Sequence, residues 1–308
     1  MKAAQIESLK KKILVIYSAG CGNGKSEIAA NLAFSIARKG IRTWVLDANT
    51  FAPAQDFIFG FTSSSPNFSH FLIDSSIHDM PVYSLDRIFS NPHLLPLLIT
   101  PAERDNHETR FALQETFNSG DDIYSRIPEA VFKAMIQHKI DLLIIDTHPS
   151  FERINEVWMG MTDFLLVISR INPVDLENLK SLLKDPSVID VTKKLVVFTN
   201  VHVDKSRKAH KDMDNAAIIK QLQALLHQFE HDYCVLNCTN PPTLPAGKTD
   251  IYEQAFLYSK KLALFQQASP REEMFIEKEP TDSFSVNIEL LGKRVVEMVG
   301  TKKIPDSI

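Results

Sequence analysis

Glycine is scarce in this chain, with 10 residues of 308 against a usual share of ~7%. Cysteine is scarcer still: Cys21, Cys234 and Cys238 are the three. Three thiols cannot make a disulfide framework, and a reducing cytoplasm is the expected setting. No apolar run approaches the ~18 residues that a membrane-spanning helix needs. The opening MKAAQIESLKKK has no apolar core of signal-peptide length, so secretion is not expected. A basic excess is missing too. The 34 Lys and Arg face 38 Asp and Glu, for a formal net charge of −4. That excludes a broadly basic nucleic-acid surface and leaves only a local patch open.

What is present is a globular chain, 44% hydrophobic, with ample length to bury a core. Short, continuous apolar runs at 12–17, 42–47, 94–99, 141–146, 163–169, 195–200 and 233–237 read as strands buried on both faces. Between them, segments 26–38, 126–138, 174–183, 212–229 and 251–261 carry helical spacing. This alternation predicts an α/β fold: a mostly parallel sheet flanked by helices. Residues 1–265 are expected to form one domain. Residues 266–308 are read as a charged linker (266–283, with two prolines) and a C-terminal amphipathic helix packed on the domain or on a partner. In that helix Phe284, Ile288, Leu291, Val295 and Met298 make one apolar stripe.

Three of the ten glycines fall within five residues, in Gly20-Cys21-Gly22-Asn23-Gly24-Lys25-Ser26. The run lies between the first strand and the first helix of the alternation, the context a phosphate loop requires. Successive backbone N–H groups there can cradle anionic oxygens, and a Cβ would obstruct their close approach. Lys25 can reach the β/γ-phosphates, Ser26 can give its hydroxyl to Mg²⁺, and Glu27 opens the helix behind. The usual first glycine of G-x-x-x-x-G-K-[ST] is here Ala19. A bland strand–helix turn is the competing reading.

Asp47 and Asp146 each end an apolar strand. A carboxylate at that edge can hold a Mg²⁺-bound water beside the loop. Asn200 ends a later strand, where its amide could bond a purine edge, and Pro242 follows in a candidate base-packing loop; from the residues alone, ordinary loop chemistry explains both better.

Together these motifs resemble the MinD/ParA family of deviant-Walker ATPases, over about residues 13–261. The family's loop reads K-G-G-x-G-K-[ST], its second strand ends D-x-D, and its third motif is D-T-P-P-G. The corresponding residues here are Gly20 to Ser26, Asp47-Ala48-Asn49, and Asp146-Thr147-His148-Pro149-Ser150. The resemblance implies a P-loop NTPase fold with residues 1–265 as its nucleotide-binding domain, and ATP or ADP with Mg²⁺ as ligands. It implies Lys25 on phosphate, Ser26, Asp47 and Asp146 around the metal, and Asn200 and Pro242 at the base. It further implies a homodimer, a protein partner, and a positional or regulatory switch acting in cell organisation.

Two positions depart from the family. Its signature lysine, which crosses to the other subunit's phosphates, would stand at Gly20. Its water-activating aspartate would stand at Asn49, and an amide can position a water but cannot accept its proton. Slow hydrolysis is therefore expected, and cross-subunit charge must come from elsewhere. A kept cradle with lost hydrolytic residues is similar to the degenerate pilus-localisation proteins of the TadZ/CpaE group. A pseudo-ATPase scaffold and an ATP-dependent ligase of the same superfamily remain as alternatives.

Other signals read more blandly. Cys234 and Cys238 sit four apart on a candidate strand with no second ligand pair, which fits buried thiols better than zinc. Cys21 lies in the loop's positive environment, and His148 stands beside Asp146. The basic clusters at 10–12 and 205–208 are small for DNA contact. The terminal helix has a mixed polar face, so membrane contact is less favoured than protein contact. The expected location is cytoplasmic, with a partner as the route to any peripheral attachment at membrane or nucleoid.

Overall fold

The computed structural model describes residues 3–18, 20–61, 66–85, 96–103, 106–119, 122–149, 153–170, 173–191, 193–201, 233–234, 255–257, 259–267 and 273–300. After a leading helix α1 (Ala3–Lys10) come β1 (Ile13–Tyr17), α2 (Lys25–Ala37), β2 (Thr43–Ala48) and two short helices, α3 (Gln55–Ile58) and α4 (Phe68–Ile73). The chain continues through β3 (Tyr83–Ser84), β4 (Leu97–Thr100), α5 (His107–Ser119), α6 (Asp122–Gln137), β5 (Leu142–Thr147) and α7 (Arg153–Gly160). Then follow β6 (Phe164–Arg170), α8 (Pro173–Leu183), α9 (Pro186–Ile189), β7 (Lys193–Val201), β8 (Tyr233–Cys234) and β9 (Ala255–Leu257). Three helices close the series: α10 (Lys260–Phe265), α11 (Phe275–Lys278) and α12 (Ser283–Val299).

The strands form one sheet in the order β3-β4-β2-β5-β1-β6-β7-β8, with β9 also on β7. Every pairing is parallel except that of β3 with β4. The continuous apolar strands are buried on both faces, as parallel strands must be. Alternation along β1 sends Ile13, Val15 and Tyr17 to one apolar layer and Leu14 and Ile16 to the other. The first layer holds residues of α4, α6, α7 and α8. The second is built on α2 and α12.

The terminal apolar stripe lies in that second layer. Phe284, Ile288, Leu291 and Val295 are buried there, and Met298 packs at its margin. Asp282 caps the helix by accepting from Phe284 N–H at 2.9 Å, and Gly300 ends it at φ 68°. Gly292 lets α12 come close to α2, since a Cβ there would stand 3.3 Å from Ser35 Oγ. Glu289 pairs with Arg38 at 2.8 Å and Lys39 at 3.0 Å.

Several expectations need correction. Helical spacing over 251–261 gives way to strand β9 at Ala255–Leu257, with a helix only from Lys260. The short apolar run pairs with β7, and tertiary pairing overrides a local periodicity this brief. Part of the charged stretch expected as linker is packed: Met274, Phe275 and Ile276 are buried in the α2 layer. Helices α1, α5 and α7 have no counterpart among the segments expected to be helical. The helix expected at 212–229, Pro242, Cys238 and the basic run 205–208 lie outside the described residues.

Candidate functional site

Parallel register brings the two acidic strand ends together. Asp47 and Asp146 are directly paired across β2 and β5. Each follows by two a residue of the α2 layer, Val45 and Ile144, so both carboxylates emerge on the α2 side, under the start of that helix. Both are fully buried. Asp47 Oδ2 accepts from the N–H groups of Ala54 and Gln55, each at 2.9 Å, and its Oδ1 accepts from Asn49 N–H at 3.2 Å. Asp146 Oδ2 accepts from Gln55 Nε2 at 2.8 Å, while its buried Oδ1 has no partner.

The phosphate loop leads into α2 through two left-handed glycines, Gly22 at φ 69° and Gly24 at φ 80°. Nothing lies within 4 Å of where a Cβ would stand on either. That is an open cradle at a helix N-terminus. Neighbouring strands fix its lower side. Ser18 Oγ donates to Gly20 C=O at 2.7 Å, and Thr199 Oγ1 donates to Asn23 C=O at 2.9 Å. The Asn23 side chain is buried, and neither its Nδ2 nor its Oδ1 has a partner. Cys21 is an exposed free thiol. The Glu27 carboxylate accepts from Asn31 Nδ2 at 3.0 Å and from Gln266 Nε2 at 3.3 Å.

Lys25, 6% exposed, is the cation of this cluster. Burial lowers its pKa, and the charges of Asp146, Cys21 and Asp47 oppose that shift. One buried ammonium therefore faces two buried carboxylates. Burial, then the charge of Asp146, pushes the Asp47 carboxyl up to about 8 against the N–H donors of Gln55 and Ala54. Burial also raises Asp146, and Lys25, the Ser26 hydroxyl and Gln55 counter it. The pair lacks positive charge, and one carboxylate oxygen lacks any partner. A divalent cation fits that deficit.

Gln55 escaped the sequence reading. Besides holding Asp146, its Nε2 donates to Ser26 C=O at 3.0 Å. It thus ties the loop after β2 to the first turn of α2. Its only sequence signal is a place eight residues past Asp47, at the start of the short helix α3. Asn49 is buried, and its Nδ2 donates to Ala52 C=O at 2.8 Å. The His148 ring packs edge-on against Phe51 at 5.1 Å, joining the loops that follow Asp47 and Asp146. Asn200 lies in β7, with its backbone alone described, as is that of Cys234 in β8. No group of three or more potential metal-ligating His, Cys, Asp or Glu occurs among the described residues. No helix among them is long and apolar enough to cross a membrane.

A glycine cradle, a buried lysine and two strand-end carboxylates on a parallel sheet define the class of P-loop nucleotide-binding proteins. The family model AAA_31, an AAA domain, matches residues 11–197. The chain belongs to that family, and its fold is that of the MinD/ParA ATPases. The MinC:MinD cell division complex of Aquifex aeolicus aligns over 96% of this chain and 99% of that chain, at TM-score 0.62 and 14% identity. A ParA family ATPase from Chlorobium tepidum TLS aligns over 92% and 99%, at TM-score 0.60 and 14% identity. The ATP complex of a Cyanothece McdA variant aligns over 96% and 98%, at TM-score 0.59 and 19% identity. In sequence, the iron-sulfur cluster carrier protein of Pseudomonas fragi is 46% identical over 59 residues, 18% of this chain and 21% of that protein. The chain thus matches about a fifth of that relative's length.

Proposed function

We propose that this chain binds ATP with Mg²⁺ in the Gly20–Ser26 loop and acts as a MinD/ParA-like switch that positions or regulates a cellular machine, with slow hydrolysis. The observation that carries this reading is the cluster of Lys25, Asp47 and Asp146, complete in charge logic for a metal–nucleotide ligand. It stands beside an Asn49 whose amide holds a turn.

In this reading the loop amides and Lys25 bind the phosphates. The Ser26 hydroxyl, with Asp47 and Asp146 through water, would hold Mg²⁺, whose positive charge would offset the negative charge of the phosphate oxygens. Gln55 fixes the orientation of Asp146. Asn49 offers no base, so a water near it keeps its proton until another group accepts it. The loops after β2 and β5 touch through Phe51 and His148. Occupancy of the site would be felt in both, the usual route by which such folds change a dimer or partner surface. The MinC:MinD complex among the similar structures supports a protein partner, and the ATP complex of McdA supports the nucleotide.

Nucleotide titration and single-turnover assays on the native chain, Lys25→Ala and Asn49→Asp test it. The switch reading expects Mg²⁺-dependent ATP binding that Lys25→Ala abolishes, with slow release of phosphate. Binding with no turnover and no difference between ATP and ADP in partner or self-association would favour a pseudo-ATPase scaffold. Absence of any nucleotide binding would sink both.

A further inference from the structure

Gly20 is the one glycine of the loop without a left-handed backbone, so its lack of a side chain has a different cause from that of Gly22 and Gly24. The cause is a neighbour. A Cβ on Gly20 would stand 3.0 Å from Asp175 Oδ1 and 3.4 Å from Asn23 Nδ2. Asp175, in the first turn of α8, is buried at 6% exposure. Its Oδ2 accepts from Arg170 Nε at 2.7 Å. A carboxylate is thus wedged against the phosphate loop, and an arginine is fastened to it.

Register places that arginine. Tyr17 of β1 pairs with Val167 of β6, and Gly20 and Arg170 each stand three residues beyond that pair. Arg170 ends its strand at the same sheet edge where Asp47 and Asp146 end theirs. Its side chain is 39% exposed, whereas Asp175 and Asn23 beside it are buried. A guanidinium held at Nε by a buried carboxylate keeps a planar, permanently charged edge facing out, the geometry that suits a phosphate.

We propose that Arg170 supplies the cationic contact to the terminal phosphate of a bound nucleoside triphosphate, and that Asp175 is the positioning residue that holds it at the loop's rim. This rests on nucleotide binding at the Gly20–Ser26 loop. The phosphate belongs either to the chain's own loop or to the loop of a second copy apposed edge to edge. Asp175 also acts as a competing anion: it occupies Arg170 and sets a negative charge beside the cradle. Asp175→Asn keeps an acceptor for Arg170 Nε and removes only the charge, so neutralising the two residues has opposite effects on triphosphate binding.

The test compares affinities for a non-hydrolysable ATP analogue and for ADP, with Mg²⁺, in the native chain, Arg170→Ala, Arg170→Lys and Asp175→Asn, each checked for folding by thermal melting. The expected result is a loss of about tenfold in triphosphate affinity for Arg170→Ala, the scale of one charge-assisted hydrogen bond, with ADP affinity nearly unchanged. Arg170→Lys recovers part of the loss, and Asp175→Asn strengthens triphosphate binding. A loss that persists under dilution to monomer assigns the phosphate to the chain's own loop. A loss seen only where the chain self-associates assigns it to a second copy. An unchanged ATP-to-ADP preference in Arg170→Ala, or parallel weakening in the Arg170 and Asp175 variants, overturns the inference while leaving nucleotide binding intact. A native chain that binds no nucleotide overturns both.

Discussion

Asp47 and Asp146 face each other from adjacent parallel strands, fully buried, with one lysine between their demands. A fold that served stability alone would not place two carboxylates there. Their mutual cost is the clearest handle on the site.

The first prediction concerns pH. Asp47 titrates at about 8 when folded, above its ordinary 3.8. Between those values the unfolded chain has released a proton that the folded chain retains, so stability falls as pH rises from about 4 to 8. Denaturant titrations at several pH values in EDTA should show that fall. Saturating Mg²⁺ and nucleotide should flatten it. A rising stability across that window without metal would contradict the burial of an uncompensated pair.

Asp146→Asn keeps an oxygen for Gln55 and puts an NH₂ where Oδ1 has no partner. The ligand-free protein should gain on the order of 1 kcal/mol near neutral pH, while Mg²⁺-dependent nucleotide affinity drops. Unfolding curves and calorimetric titration of the same variant read the two opposite effects.

Gln55→Leu removes the donor that both Asp146 and the Ser26 carbonyl use. Depriving the buried Asp146 Oδ2 of that donor should cost about 1–3 kcal/mol. Mg²⁺ should be needed at higher concentration for the same ATP affinity, whereas metal-free ADP binding moves little. Equal weakening with and without metal would assign Gln55 a packing role only.

Gly24→Ala forces a Cβ into a left-handed position at φ 80°. The strain is about 1–2 kcal/mol, and relief by unwinding the loop would disperse its N–H groups. Loss of nucleotide binding with a modest shift in melting is the expected pair of results.

Glu289 gives an acid-side test away from the site. Burial raises its carboxyl, but Lys39, Ser35 and Arg38 together hold it below its ordinary value near 4.5. Its contribution is present above that value and disappears as pH falls through the lower, folded one. Because the group is a third exposed, Glu289→Gln should cost no more than about 1 kcal/mol at neutral pH. The variant should also lose less stability than the native chain on acidification.

Much of this architecture is legible in the chain. Strands such as Leu142–Thr147 announce themselves because burial on both faces demands unbroken apolar runs. Lys25, Ser26, Asp47 and Asp146 stand out because phosphate and metal chemistry needs those residue types at strand and helix ends. Gln55 and the Arg170–Asp175 pair are invisible for a physical reason. Their roles arise from contacts that only the folded chain makes, with no period or motif to mark them. The strand at Ala255–Leu257 is hidden similarly, since β7 decides its conformation.

The helix that carries Lys25 at its first turn is also the one against which α12, the last helix among the described residues, lies, latched by Glu289 at the far end. In the proposed reading, phosphate capture and docking of residues 283–299 thus share one helix. Whatever loosens that segment, a partner's grip or an appended fusion, should weaken nucleotide binding, and by reciprocity bound nucleotide should tighten the segment. On that expectation α12 would be a remote lever on the cradle.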